Sequence, residues 1–293
     1  MHRRLVAAAL FTLFACTFVV ASDEDPYLWL EEIDGEKALA WVEDRSAATV
    51  AELEAVPEFE ELHEKLLAIF NSKDRIPSPG IRGAWVYNYW QDETHVRGIW
   101  RRTFLSEYVK QSPSWETVLD LDALAEAEGE NWVWKGASCL PPAYRHCMLT
   151  LSRGGGDASV EREFDTAAKR FVEDGFVVPE SKASVAWKDE NTLWIGTDFG
   201  EGSLTKSGYP RITKEWKRGT ALESATTIFE GSVDDVSIGA YSMHTPEGRF
   251  DFVYETPEFF RSTTYIRHGE RLIKLDIPED ASLQGIFKDQ MLI

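Results

Sequence analysis

The chain has 293 residues, 43% of them hydrophobic, and carries a formal net charge of −19. That apolar content supports a sizeable core and excludes global disorder. Because a nucleic-acid binder needs a basic face to neutralise phosphates, and this chain offers no basic cluster beyond short pairs such as Arg101–Arg102, no nucleic-acid partner is expected.

In chain order, the basic start MHRR leads into the apolar run LVAAALFTLFACTFVVA and then the acidic SDEDP. This order reads as a secretory signal peptide over residues 1–21. Cleavage is expected after Ala21, leaving Ser22 first, because Val19 and Ala21 are small residues two apart. Cys16 offers a lipoprotein alternative, which bulky Phe14 disfavours. The run is short for a membrane span and no second stretch of spanning length follows, so no stable span is expected after signal removal. The protein is expected to be exported, to the periplasm or the medium.

Residues 22–77 read as a helical segment. Asp34 is placed to cap a helix through EKALAWVEDRSAATVAELE, with Leu39, Val42, Val50 and Leu53 on one broad face. Pro57 interrupts. EFEELHEKLLAIF then sets Phe59, Leu62, Leu66 and Ile69 at spacings of three and four, an amphipathic helix with His63 beside the stripe as a surface or boundary residue. NSKDRIPSPG ends the helices with two prolines and a glycine.

From residue 84 the period changes. AWVYNYW, VRGIWRRT, WETVLDL, WVWKGA, HCMLTLS, SVEREF, SVAW, TLWIGT, TTIFE, FDFVYE, TTYIRH and RLIKLDI are short segments rich in Val, Ile, Thr and aromatics, separated by polar turns. LDALAEAEGE is a possible short helix among them. Trp85, Trp134 and Trp187 are 49 and 53 residues apart, close to the roughly 40–50 residues of a four-stranded propeller blade. The fold class is therefore mainly β: a β-propeller over residues 78–293 preceded by the helical segment, with a long β-sandwich as the alternative. In LSRGGGDASVEREF, glycines lie between two strand-like segments, lead into no helix and are followed by no Walker lysine. A hairpin turn is expected there, not a phosphate cradle.

Two cysteines remain after the signal, Cys139 and Cys147. In an exported protein they are a candidate disulfide; two buried thiols flanking a loop are the alternative. There is no GxSxG, HExxH, EF-hand loop or CxxC, so no catalytic residue, metal ligand or cofactor is assigned.

DPYLWLEEIDGEKALAWVEDRSAAT resembles the opening of the prolyl oligopeptidase family of serine peptidases. NYWQDETHVRGIWRRTFLSEY is similar to that family's first propeller strands, LSRGGGDASVEREFD to its Ser–Gly–Asp hairpin, and TDFGEGSLTKSGYPRITKEWKRGT to a later blade. The resemblance covers about residues 24–290 and implies a seven-bladed propeller that caps an α/β-hydrolase domain and restricts it to short peptide substrates, often cleaved after proline. It also implies that the N-terminal helices pack against that hydrolase domain. No position of this chain matches a residue of the family's Ser–Asp–His triad. The expectation is the N-terminal portion of an exported peptidase, with an incomplete propeller and no turnover of its own; a free-standing peptide- or protein-binding propeller is the second reading. Mass analysis of exported protein is expected to show Ser22 as the first residue and, after non-reducing digestion, a Cys139–Cys147 peptide. A lipidated Cys16 would overturn the first expectation and two free thiols the second.

Overall fold

The computed structural model describes residues 25–293 apart from 73, 75 and 289. The expected signal peptide, with Cys16, Ala21 and Ser22, lies outside the described residues. Two compact units divide at Ser72/Lys73.

The first unit is helical. A 3-10 turn, Leu28–Glu31, precedes α1 (Glu36–Glu54) and α2 (Phe59–Phe70). Asp34 does not cap α1. The N-cap is Gly35, without a side-chain bond, because the Gly35 N–H closes a turn onto the Glu32 carbonyl and the helix starts one residue later. Glu36 supplies the acid that suits the first turn. Trp29 meets Trp41 edge-on at 6.3 Å, and Lys37 Nζ lies 3.9 Å over the Trp29 ring. The apolar stripe forms as expected, and the helical unit itself does not cover it. Leu39, Val42, Val50, Leu53, Leu62, Leu66 and Ile69 are between 43% and 64% exposed.

The second unit is a succession of antiparallel sheets, each a meander of consecutive strands. Blade 1 contains β1 (Gly80–Arg82), β2 (Trp85–Trp90), β3 (Ile99–Phe104) and β4 (Glu116–Asp120), with a short helix, α3 (Leu105–Tyr108), after β3. The helix α4 (Leu121–Glu128) follows, capped by the Asp120 side chain on the Ala123 N–H and closed by Gly129 in the left-handed region. Blade 2 contains β5 (Trp132–Cys139), β6 (His146–Arg153) and β7 (Ser159–Asp165); its outer position is shared by β8 (Arg170–Phe171) and β9 (Val177–Ser181), which pair with opposite ends of β7. Blade 3 is β10 (Ser184–Asp189), β11 (Thr192–Gly196), β12 (Ile212–Lys217) and β13 (Thr226–Glu230). Blade 4 is β14 (Ser237–Thr245), β15 (Gly248–Glu258), β16 (Arg261–His268) and β17 (Arg271–Lys274), followed by the hairpin β18 (Gly285–Phe287) and β19 (Gln290–Leu292). First strands touch across blades, β5 with β10, β10 with β14 and β14 with β18. This is propeller architecture. The glycine stretch is the β6–β7 turn, with Gly154 and Gly155 at φ 67° and 89°, values that a side chain makes costly.

The core lies between blades. Tyr87, Trp100 and Val118 of blade 1 meet Leu149 and Phe164 of blade 2. Met148, Phe176 and Val178 of blade 2 meet Trp187, Leu193, Ile195 and Trp216 of blade 3. Trp194 of blade 3 meets Ala240 and Val253 of blade 4. Each buried large side chain contributes roughly 1.5–3 kcal/mol, so these seams hold the unit together. Indole N–H groups pin them: Trp187 Nε1 donates to the Ser138 carbonyl at 2.9 Å and Trp194 Nε1 to Ser242 Oγ at 2.8 Å. The tryptophan beat is looser than it reads. Trp134 and Trp187 sit on first strands, whereas Trp85 opens a second strand.

One acid is buried in blade 2 without a cation among the described residues. Glu161 accepts from Thr150 Oγ1 at 2.9 Å and Ser159 Oγ at 3.3 Å, and burial pushes its pKa up to about 7 against those hydroxyls. A folded-state value above the unfolded one means that its contribution is fully present below the ordinary carboxylate range and is lost as pH rises towards 7. Glu161→Gln is therefore expected to leave stability at pH 4 nearly unchanged and to raise it at pH 8, by at most roughly 3 kcal/mol. Urea unfolding at both pH values checks this; equal effects at the two would contradict it.

Candidate functional site

Three hairpins meet at one end of blades 2, 3 and 4, each joining the first strand of its blade to the second, and enclose a cleft of about 520 Å³. Blade 2 contributes Leu140, Pro141, Pro142, Ala143, Arg145 and His146. Its turn is closed by Leu140 N–H on the His146 carbonyl at 2.9 Å and Tyr144 N–H on the Leu140 carbonyl at 2.8 Å. Blade 3 contributes Lys188, Asp189 and Glu190, and blade 4 contributes His244 and Arg249.

A buried carboxylate organises two of these walls. Glu163 on β7 has a fully buried side chain. It accepts from His146 Nδ1 at 2.9 Å, from Arg218 Nη1 and Nη2 at 2.7 and 2.9 Å, and from the Phe176 N–H at 2.9 Å. Four donors satisfy a charge that would otherwise be prohibitively costly to bury. The His146 bond fixes the ring that faces the cleft from blade 2. Arg218, at the end of β12, also donates from Nη2 to the Glu190 carbonyl at 2.8 Å and so fixes the blade 3 hairpin. The break in the fourth strand of blade 2 falls at this residue: Val172 N–H donates to the Glu163 carbonyl and Glu163 N–H to the Phe176 carbonyl between β8 and β9.

Flanking pairs complete the electrostatics. Arg145 donates to Asp165 Oδ2 from Nε at 2.9 Å and Nη2 at 2.7 Å. Burial opposes ionisation of Asp165, but Arg145 and the N–H groups of Ala168 and Ala167 outweigh it and hold the pKa at about 2. Glu215 receives Lys188 Nζ and Arg267 Nη1, each at 2.7 Å; burial pushes its pKa up, and the two cations bring it below the ordinary value. Arg249 reaches Asp189 Oδ2 at 3.1 Å and Asp251 Oδ1 at 2.9 Å.

Cys139 and Cys147 face each other in the β5–β6 register, with their sulfurs 2.03 Å apart, and close the base of the hairpin that forms the blade 2 wall. Among the described residues no group of three or more His, Cys, Asp and Glu is placed to hold a metal ion, and no serine hydroxyl is hydrogen-bonded to a histidine. No described helix is long and apolar enough to cross a membrane.

Arg145, Lys188, His244, Arg249 and Glu163 were not legible as a site. They are spread over residues 145–249, and no short motif joins them. One local signal existed: SVEREFD sets Glu161, Glu163 and Asp165 on alternate positions and hence on one face of the strand, a face that the structure buries.

Residues 19–253 match the family described as "Prolyl oligopeptidase, N-terminal beta-propeller domain". An uncharacterized peptidase of Sinorhizobium fredii is 42% identical over 275 residues, which cover 92% of this chain and 38% of that protein. One of Rickettsia prowazekii is 29% identical, over 95% of this chain and 42% of its own. Among solved structures, a post-proline cleaving enzyme from Rickettsia typhi superposes with a TM-score of 0.80 at 29% identity, over 90% of this chain and 40% of that one. Oligopeptidase B from Leishmania major shares the fold, with a TM-score of 0.64 at 11% identity over 85% of this chain and 34% of that one. The chain thus spans about two-fifths of the length of the curated relatives it matches.

Proposed function

The chain belongs to the prolyl oligopeptidase family and carries its N-terminal β-propeller domain, and on that premise we propose that it is the propeller portion of an exported serine-type peptidase, where it caps the active site and admits only short peptides. The observation that carries this reading is the superposition, over 90% of the chain, with an enzyme whose own description is post-proline cleavage. The exposed apolar stripes of α1 and α2 fit the same reading. Apolar stripes of this kind mark a contact surface, and a catalytic domain in the rest of a longer polypeptide is the partner that family membership suggests. The nucleophile, base and acid belong to that domain, and no residue of this chain is given a catalytic role. Export is supported by the basic–apolar–small order of residues 1–21 and by Cys139 and Cys147 at bonding distance, since an oxidising compartment keeps such a pair closed.

The test compares this chain alone with the complete product of its gene. The complete product is expected to cleave a proline-containing peptide of about ten residues in a manner blocked by a serine-directed inhibitor, and to leave the same sequence uncut inside a folded protein. The chain alone is expected to show no turnover. Inhibitor-sensitive turnover by the chain alone, or equal cleavage of the two substrates, would overturn the reading.

A further inference from the structure

The protein as a whole is acidic, with 50 Asp and Glu against 31 Lys and Arg. Arg145, Lys188, Arg249, His146 and His244 line the cleft beside Asp189 and Glu190, and each of the three cations already faces an acid: Arg145 faces Asp165, Lys188 faces Glu215, and Arg249 faces Asp189 and Asp251. Several of these donors are only partly used among the described residues. Arg145 spends Nε and Nη2 on Asp165, which leaves Nη1 without a hydrogen bond, and its side chain is 58% exposed. Arg249 directs Nη1 to the Lys188 carbonyl and Asp189 and Nε to Asp251, which leaves Nη2. His146 spends Nδ1 on Glu163, which leaves Nε2. Lys188 is held by Glu215. Of the two acids, Asp189 is engaged by Arg249, while Glu190 is exposed and its side chain makes no hydrogen bond among the described residues. The free donors therefore come from blades 2 and 4, and Leu140, Pro141 and Pro142 supply apolar lining in the same cleft.

We propose that this cleft binds the carboxylate of a short peptide, with the guanidinium groups of Arg145 and Arg249 on its oxygens and an apolar side chain of the peptide against Leu140, Pro141 and Pro142. A guanidinium presents planar paired donors that match a carboxylate, and charge-assisted bonds of this kind are the strong ones. The acidic surface repels an anionic ligand, so binding here rests on the unused guanidinium donors of Arg145 and Arg249 and not on a positive field of the cleft. A volume of about 520 Å³ lies within the roughly 300–1,000 Å³ of small-ligand sites. The inference takes only the choice of a peptide probe from the peptidase reading, and its test measures binding without turnover, so either can fail alone.

The test is calorimetric titration of the 293-residue chain, at low ionic strength and neutral pH, with Gly-Pro-Leu as the free acid, with its C-terminal amide, and with Gly-Pro-Glu amide. The free acid is expected to bind at least about tenfold more tightly than its amide. Arg145→Gln and Arg249→Gln are each expected to weaken the free acid by about tenfold, and Arg145→Lys to recover part of that loss. Binding of Gly-Pro-Glu amide with the affinity of the free acid would support the site with an acidic side chain as the source of the carboxylate; failure of that peptide to bind would assign the site to the peptide C-terminus. Equal affinity for acid and amide, no binding of any probe, or unchanged affinity in both glutamine variants would overturn the proposal. Thermal unfolding of each variant accompanies the titration. Should Arg249→Gln fail to fold, the Arg145 variants decide, because that side chain lies more than half in solvent.

Discussion

A carboxylate sealed from water must be matched on the spot, and Glu163 is matched by groups from two neighbouring blades. The demand is severe: an unpaired buried charge costs several kcal/mol, and removing one partner of a buried pair costs about 3–5 kcal/mol. Arg218 from blade 3 and His146 from blade 2 meet that demand at distances of 2.7–2.9 Å. Hydrophobic contact between blades tolerates sliding, since apolar burial has no direction. A two-pronged guanidinium on a fixed carboxylate does not. The apolar seam of Met148, Phe176, Trp187 and Trp216 thus supplies most of the adhesion, and Glu163 with Arg218 sets its register.

The same device recurs at the other seams. Glu116 of blade 1 takes Lys169 from blade 2 beside its own Arg102, and these two cations hold its pKa down. Glu215 of blade 3 takes Arg267 from blade 4 beside its own Lys188. In each case an acid of one blade is shared between a cation of its own sheet or hairpin and one from the next. Function follows from this at the end where the hairpins gather. Because Arg218 also grips the Glu190 carbonyl, and His146 reaches the cleft from the other side of Glu163, the seam that joins blades 2 and 3 also fixes the cleft walls. In the cap proposed above, such rigidity would hold the groups that meet a peptide in position before it arrives.

Much of this was legible in the residues. Alternating β-branched and aromatic segments gave β2, β3, β6, β7, β11 and β16 close to their observed bounds, and the glycines after Arg153 marked a hairpin. What failed had physical causes. β14, with the sequence SIGAYSMHT, carries Gly239 and two serines and has weak strand propensity; it is fixed by nine register pairs to β15, where Gly239 leaves room for the Tyr254 ring. Asp34 looked like a cap because its type fits, but a local turn took the position for Gly35. The stripe on α2 was read correctly as amphipathic, yet a pattern of that kind does not say what covers it. The cleft was invisible because it depends on which hairpins the blades bring together, and that is set by contacts up to about a hundred residues apart.

The central claim is that the Glu163–Arg218 pair couples blades 2 and 3, and a double-mutant cycle tests it most directly. Glu163→Gln, Arg218→Gln and the combined variant would be unfolded in urea alongside the parent chain at neutral pH. If the pair acts as one unit across the seam, the combined loss falls short of the sum of the single losses by more than about 1.5 kcal/mol. Single losses that add to within roughly 0.5 kcal/mol would show two independent side chains and contradict the account.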